Sequence, residues 1–127
     1  MKITLLCVGS LKSSWAAEGC KQYIDRLRGV IDFELLELPA SKEKDPSRQK
    51  EDESGRILEA IEKRSSIVWV LDEQGKGITS EEFSSGLSAS ADKGETIIFV
   101  IGGAYGLNDA VKEKADKIIQ LSQMTAA

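Results

Sequence analysis

Any chemistry in this chain proceeds without imidazole, because its 127 residues include no histidine. Histidine-based acid–base catalysis and imidazole metal ligation are closed to it. Carboxylates, lysine, tyrosine, cysteine and the backbone remain. Two glycine-rich stretches offer that backbone: Leu71-Asp72-Glu73-Gln74-Gly75-Lys76-Gly77 and Ile101-Gly102-Gly103-Ala104-Tyr105-Gly106-Leu107. Each follows an apolar run. Glycines at a strand end let backbone N–H and C=O groups reach a polar ligand, such as an adenine ring, without side-chain obstruction. Neither stretch is a phosphate-binding loop with Gly-Lys-Ser/Thr, and neither has GxGxxG spacing. Taken singly, each reads as an ordinary turn. Two on the same side of one parallel sheet point to a ligand cleft. Asp72 and Glu73 are candidate acid–base groups, or a helix cap or solvated turn. Tyr105 can stack on a ring or pack over the cleft edge. Trp15 and Trp69 read as core. Cys7 and Cys20 lack metal-ligand spacing and read as reduced core thiols.

The elements that would hold these loops alternate. Residues 3–8, Ile-Thr-Leu-Leu-Cys-Val, are almost continuously apolar, as in a strand buried on both faces. Ser13 or Ser14 can cap a helix with Ala16, Cys20, Tyr23, Ile24 and Leu27 on one face. Residues 31–38 suit an edge strand, with Ile31, Phe33 and Leu35 inward. Asp45-Pro46 reads as an N-cap and first turn. The helix it opens reaches about Lys63, and Ile57, Leu58 and Ile61 give a core face in its second half only. The first half is expected to project or fray. Ile67–Leu71 is a buried strand closed by the loop 72–77. Thr79 and Glu82 stand at capping-box spacing before a helix with Phe83 and Leu87 inward. A strand over 96–101, a helix over 109–115 and a short strand through Ile118, Ile119 and Leu121 complete the pattern. Such alternation predicts one α/β domain over residues 1–127, a mainly parallel five-stranded sheet with helices on both faces.

The net charge of −4 makes the chain a poor candidate for tight, nonspecific nucleic-acid binding. A local basic patch or a surface shared with a partner is compatible with it. Residues 41–56 carry five cations and five anions, a mixture that reads as a solvated helix face. No run approaches the ~18 apolar residues of a membrane span. Met1-Lys2 leads straight into a strand-like run without a signal peptide, so a cytoplasmic location is expected.

The segments MKITLLCVG at the N-terminus, FELLELPA at 33–40, VLDEQGKGITSEEFS at 70–84, FVIGGAYGL at 99–107 and LSQMT at 121–125 together resemble the ribosomal RNA large-subunit methyltransferase H family. The resemblance runs in order through essentially the whole chain, and IGGAYGL and LSQMT are its more specific parts. It implies a SPOUT-class α/β core and S-adenosylmethionine-dependent methylation of N3 of a pseudouridine in 23S rRNA on the assembled ribosome. It also implies a cytoplasmic homodimer with a deep trefoil knot. The backbone at Leu71 and Gly103 would contact the cofactor, and Leu121, Ser122, Gln123, Met124 and Thr125 would wrap its third side. Members of the family continue beyond LSQMT with a histidine-containing segment and a long helix, whereas this chain stops at Ala127. The resemblance therefore implies an unknotted, truncated core. Such a core is expected to be inactive or nearly so alone, and to associate as a dimer in the family's arrangement or a rearranged one. The alternatives to an enzyme are a non-catalytic folding or oligomerisation module and a domain with weak residual cofactor or nucleotide binding.

Overall fold

The computed structural model describes residues 2–9, 32–64, 66–77, 80–102 and 105–120. Five strands form one sheet: β1 (Lys2–Val8), β2 (Asp32–Leu38), β3 (Ile67–Gly77), β4 (Ile97–Ile101) and β5 (Lys117–Gln120). Every pairing is parallel, and the order across the sheet is β2-β1-β4-β3-β5. Three helices are described: α1 (Pro46–Glu62), α2 (Ser80–Asp92) and α3 (Asp109–Lys114). The expected helix with Ala16 through Leu27, together with Trp15, Cys20, Thr79 and Leu121, lies outside the described residues.

The apolar runs predicted to be buried on both faces split by parity into two cores. Leu5, Trp69, Phe99 and Ile101 point to one face, where Phe83 and Leu87 of α2 cover them. Leu6, Val70, Ile98 and Val100 point to the other, under Ile57 and Ile61 of α1 and Val111 of α3. The distribution of helices follows from the strand order. The connections from β2 to β3 and from β4 to β5 travel one way across the sheet, and the one from β3 to β4 travels back. With a single crossover hand, opposite travel places helices on opposite faces. The single-domain α/β sheet with helices on both faces is thus as the sequence predicts.

Three local expectations are corrected. Leu35 is 41% exposed, although the alternation placed it inward. β2 is an edge strand paired only with β1, so its apolar residues of both parities are partly covered: Phe33 packs on the first core, Leu36 and Leu38 on the second. The first half of α1 does not project. Asp45 caps it by accepting from the Arg48 N–H at 3.1 Å. The buried Glu53 carboxylate accepts from the Ser41 N–H at 2.8 Å, which ties the helix to the segment leaving β2. Finally, β3 does not end at Leu71. Both Leu71 and Lys76 pair with Ile119, so residues 72–75 bulge out and the strand resumes at Lys76–Gly77.

Candidate functional site

In a parallel sheet all strand exits lie along one edge. At that edge the chain leaves β3 towards α2 on the first face and leaves the adjacent β4 towards α3 on the second. Diverging exits from neighbouring strands leave a crevice between them, the usual ligand position in open α/β sheets. Leu71 and Ile101 are register partners at its base. The two glycine-rich stretches singled out from the sequence therefore stand side by side.

Leu71 is buried, 2% exposed, so only its main chain can face a ligand. Its neighbours 72–75 have left the ladder with β5, which brings backbone polar groups out at the sheet edge. Gly75 permits this. A Cβ there would lie 2.8 Å from the Ile119 carbonyl carbon, so the bulge rests directly on the β5 backbone. On the opposite wall, a Cβ at Gly102 would lie 2.8 Å from Leu107 Cγ, and Gly106 adopts φ +81°. The β4 exit is thus folded around its own Leu107, which is buried in the second core.

Polar contacts fix both walls. Asp72 forms an ion pair with Lys112 of α3 at 3.2 Å, bridging the β3 exit to the helix that follows β4. This gives Asp72 an ion-pair partner across the two exits. The side chain of Glu73 lies outside the described residues. Ser54 of α1, fully buried, accepts from the Asn108 N–H at 3.0 Å. Asn108 caps α3 through the Val111 N–H at 3.1 Å and donates its amide to Glu51 at 3.2 Å. Neither Lys112–Asp72 nor Ser54–Asn108 is foreseen in the sequence. The only cue is Asn108 itself, an N-cap type in front of the α3 pattern.

The remaining candidates separate clearly. Tyr105, in the segment that follows β4, is 51% exposed. Trp69 is core, 1% exposed. Gly103 and Leu121, Ser122, Gln123, Met124 and Thr125 lie outside the described residues. In the chain they directly follow the ends of β4 and β5, the two neighbours of β3. A cavity of about 740 Å³ opens beside β5, between Gly77, Glu81, Glu82, Ser85, Lys117 and Ile119. No group of three or more potential metal-ligating residues is found among the described residues, and no described helix is long and apolar enough to cross a membrane.

Cys7, in register with Ile101, is a buried free thiol. Burial first, and Glu37 second, push its pKa up from 9.0 to about 11. The folded state therefore holds the proton more tightly than the unfolded chain. The resulting stabilisation is complete below pH 9 and is lost as pH rises through about 11. Urea melts at these two pH values should show Cys7→Ala losing about 2 kcal/mol less than the parent chain across the interval. Equal losses would show that the thiol is not desolvated.

Residues 1–127 match the family model described as predicted SPOUT methyltransferase, which sets the class of protein. Ribosomal RNA large subunit methyltransferase H of Geobacter sp. (strain M21) is 39% identical over 126 residues, covering 98% of this chain and 81% of that protein. Ribosomal RNA large subunit methyltransferase H 2 of Caldanaerobacter subterraneus subsp. tengcongensis is 39% identical over 132 residues, covering 98% and 87%. The Streptococcus suis (strain 05ZYH33) protein of the same name as the first is 36% identical over 132 residues, covering 98% and 82%. The chain belongs to the SPOUT methyltransferases, in the family of ribosomal RNA large subunit methyltransferase H.

Proposed function

We propose that the crevice between the exits of β3 and β4 binds S-adenosylmethionine and that the chain serves methylation of ribosomal RNA. Its acceptor is N3 of a pseudouridine in 23S rRNA, and its working form is a cytoplasmic dimer. The observation that carries the reading is that Leu71 and Ile101 are the last register pair of β3 and β4, where β4 ends and β3 bulges before resuming at Lys76. Main-chain groups there fit a ligand that presents an adenine edge, and the bulge at 72–75 supplies them beyond the ladder. Leu71 and Gly103 would form two walls, and Leu121, Ser122, Gln123, Met124 and Thr125 the third.

When bound, the cofactor supplies an electrophilic methyl on a sulfonium. The role of this chain is positioning, which for an in-line displacement contributes much of the rate. The proton that leaves N3 goes to water or to a carboxylate, lysine or tyrosine, since the chain has no histidine.

Calorimetric titration of the 127-residue chain with S-adenosylmethionine tests the crevice independently of turnover. Saturable heat, lost when Leu71→Pro disrupts the main chain at the wall, is expected. No heat and no thermal shift at millimolar cofactor would overturn the reading. Transfer of labelled methyl to ribosomes is the second measurement. Transfer that falls in Leu71→Pro is expected, and no transfer would overturn the methylation reading.

A further inference from the structure

The charge-balanced stretch 41–56 is not balanced in space. Of its five anions one is buried and three are engaged. Asp45 caps α1, and Glu53 is buried on the Ser41 N–H. Glu51 holds Asn108, and Asp52 holds Arg56 at 3.1 Å. One cation is engaged too: Arg56 donates to the Pro39 carbonyl as well as to Asp52. The other four are not. Lys42, Lys44 and Arg48 are exposed and Lys50 is half-buried, and none makes a side-chain hydrogen bond or ion pair among the described residues. Glu43, Asp45 and Glu51 are exposed carboxylates, and of these Glu43 alone makes no side-chain hydrogen bond or ion pair among the described residues.

The position of this layer matters. The segment starts where β2 ends, at the same sheet edge as the crevice. Its helix is fastened to the β4 exit through Ser54 and Glu51 on Asn108. At 100° per residue, Lys50 lies on the stripe of Ser54, Ile57 and Ile61, one turn beyond the buried part. A half-buried cation without a side-chain partner among the described residues thus continues the core-facing stripe at the start of α1.

We infer that Lys42, Lys44, Arg48 and Lys50 form a docking surface for RNA phosphates that holds the substrate strand beside the crevice. The inference rests on the methyltransferase reading and adds to it the surface that receives the polyanion. On a chain of net charge −4, a local group of four cations favours positioning over nonspecific binding.

The test is filter binding of a 23S rRNA transcript between 50 and 200 mM salt. The parent chain is compared with K42Q/K44Q/R48Q/K50Q and with K63Q/K93Q, which removes two exposed lysines elsewhere. The quadruple variant is expected to bind at least ~10-fold more weakly and to lower the slope of log K against log salt by about 3. K63Q/K93Q should match the parent, and the thermal shift given by S-adenosylmethionine should be the same in all three. Parent-like binding and slope in the quadruple variant would overturn the docking surface while leaving the crevice reading intact. Absence of RNA binding by the parent, with the cofactor shift retained, would overturn this surface but not the cofactor site. Absence of both would overturn both readings.

Discussion

Gly75→Ala is expected to cost about 3 kcal/mol of folding stability and to weaken S-adenosylmethionine binding by more than ~10-fold. The added Cβ would meet Ile119 carbon, nitrogen and oxygen at 2.8–2.9 Å. These are backbone atoms, so no side-chain rotation can clear them, and β5 must move away from β3. That displaces the strand leading into Leu121–Thr125, the proposed third wall. Gly55→Ala gives the matching contrast. Gly55 lies inside α1, exposed, and a Cβ there would meet nothing within 4 Å. Alanine at this position should add roughly 0.5–1 kcal/mol. Urea denaturation and calorimetry on both variants check the pair. If Gly75→Ala behaves like Gly55→Ala, the close approach of bulge and edge strand is wrong.

Trp69→Ala is expected to cost about 4 kcal/mol. The indole is buried at the centre of the first core, edge-on to Phe83 at 5.6 Å and to Phe99 at 5.4 Å. Those two rings stack on each other at 5.7 Å, so the three form a closed aromatic group joining β3, β4 and α2. Gly86 lets α2 come down onto the indole, since a Cβ there would sit 2.8 Å from Trp69 Cη2. Lys117 of β5 places its ammonium 4.9 Å from the ring, a cation–π contact. Removing the indole therefore opens a large cavity and unseats a helix and an edge strand together. Trp69→Phe should recover more than half of the loss in urea melts. A cost below about 1 kcal/mol for Trp69→Ala would contradict the packing.

β1, β3 and β4 are legible in the sequence because strands buried on both faces read as continuous apolar runs. Their order is not. Ile3–Val8, Ile67–Leu71 and Ile97–Ile101 are similar in composition, and pairing depends on which crossovers the helices can span. The resumption of β3 at Lys76–Gly77 is made by backbone pairing alone, so polar and glycine residues that spell a turn conceal it. Leu35 misleads because alternation assumes one covered face, and an edge strand has two half-covered ones. At the site, Leu71 and the β4 exit are legible as apolar runs ending in glycine. The Lys112–Asp72 and Ser54–Asn108 contacts join residues far apart in the chain, and local pattern carries no trace of them. The balance of charge in 41–56 likewise hides which of its charges are engaged.

β5 is joined to β3 by two short clasps, Lys117–Ile119 with Trp69–Leu71 and Ile119–Gln120 with Lys76–Gly77, with four residues looped out between. β4 is paired along both sides. Local opening therefore starts more cheaply at the β5 edge than at the centre of the sheet. A molecule that spans the exits of β4, β3 and β5 recognises only the closed edge, and its binding free energy is added to that closure. Under the proposed function the methyl donor would then have a second part to play, as the ligand whose occupancy sets how firmly the last strand of the described sheet is shut.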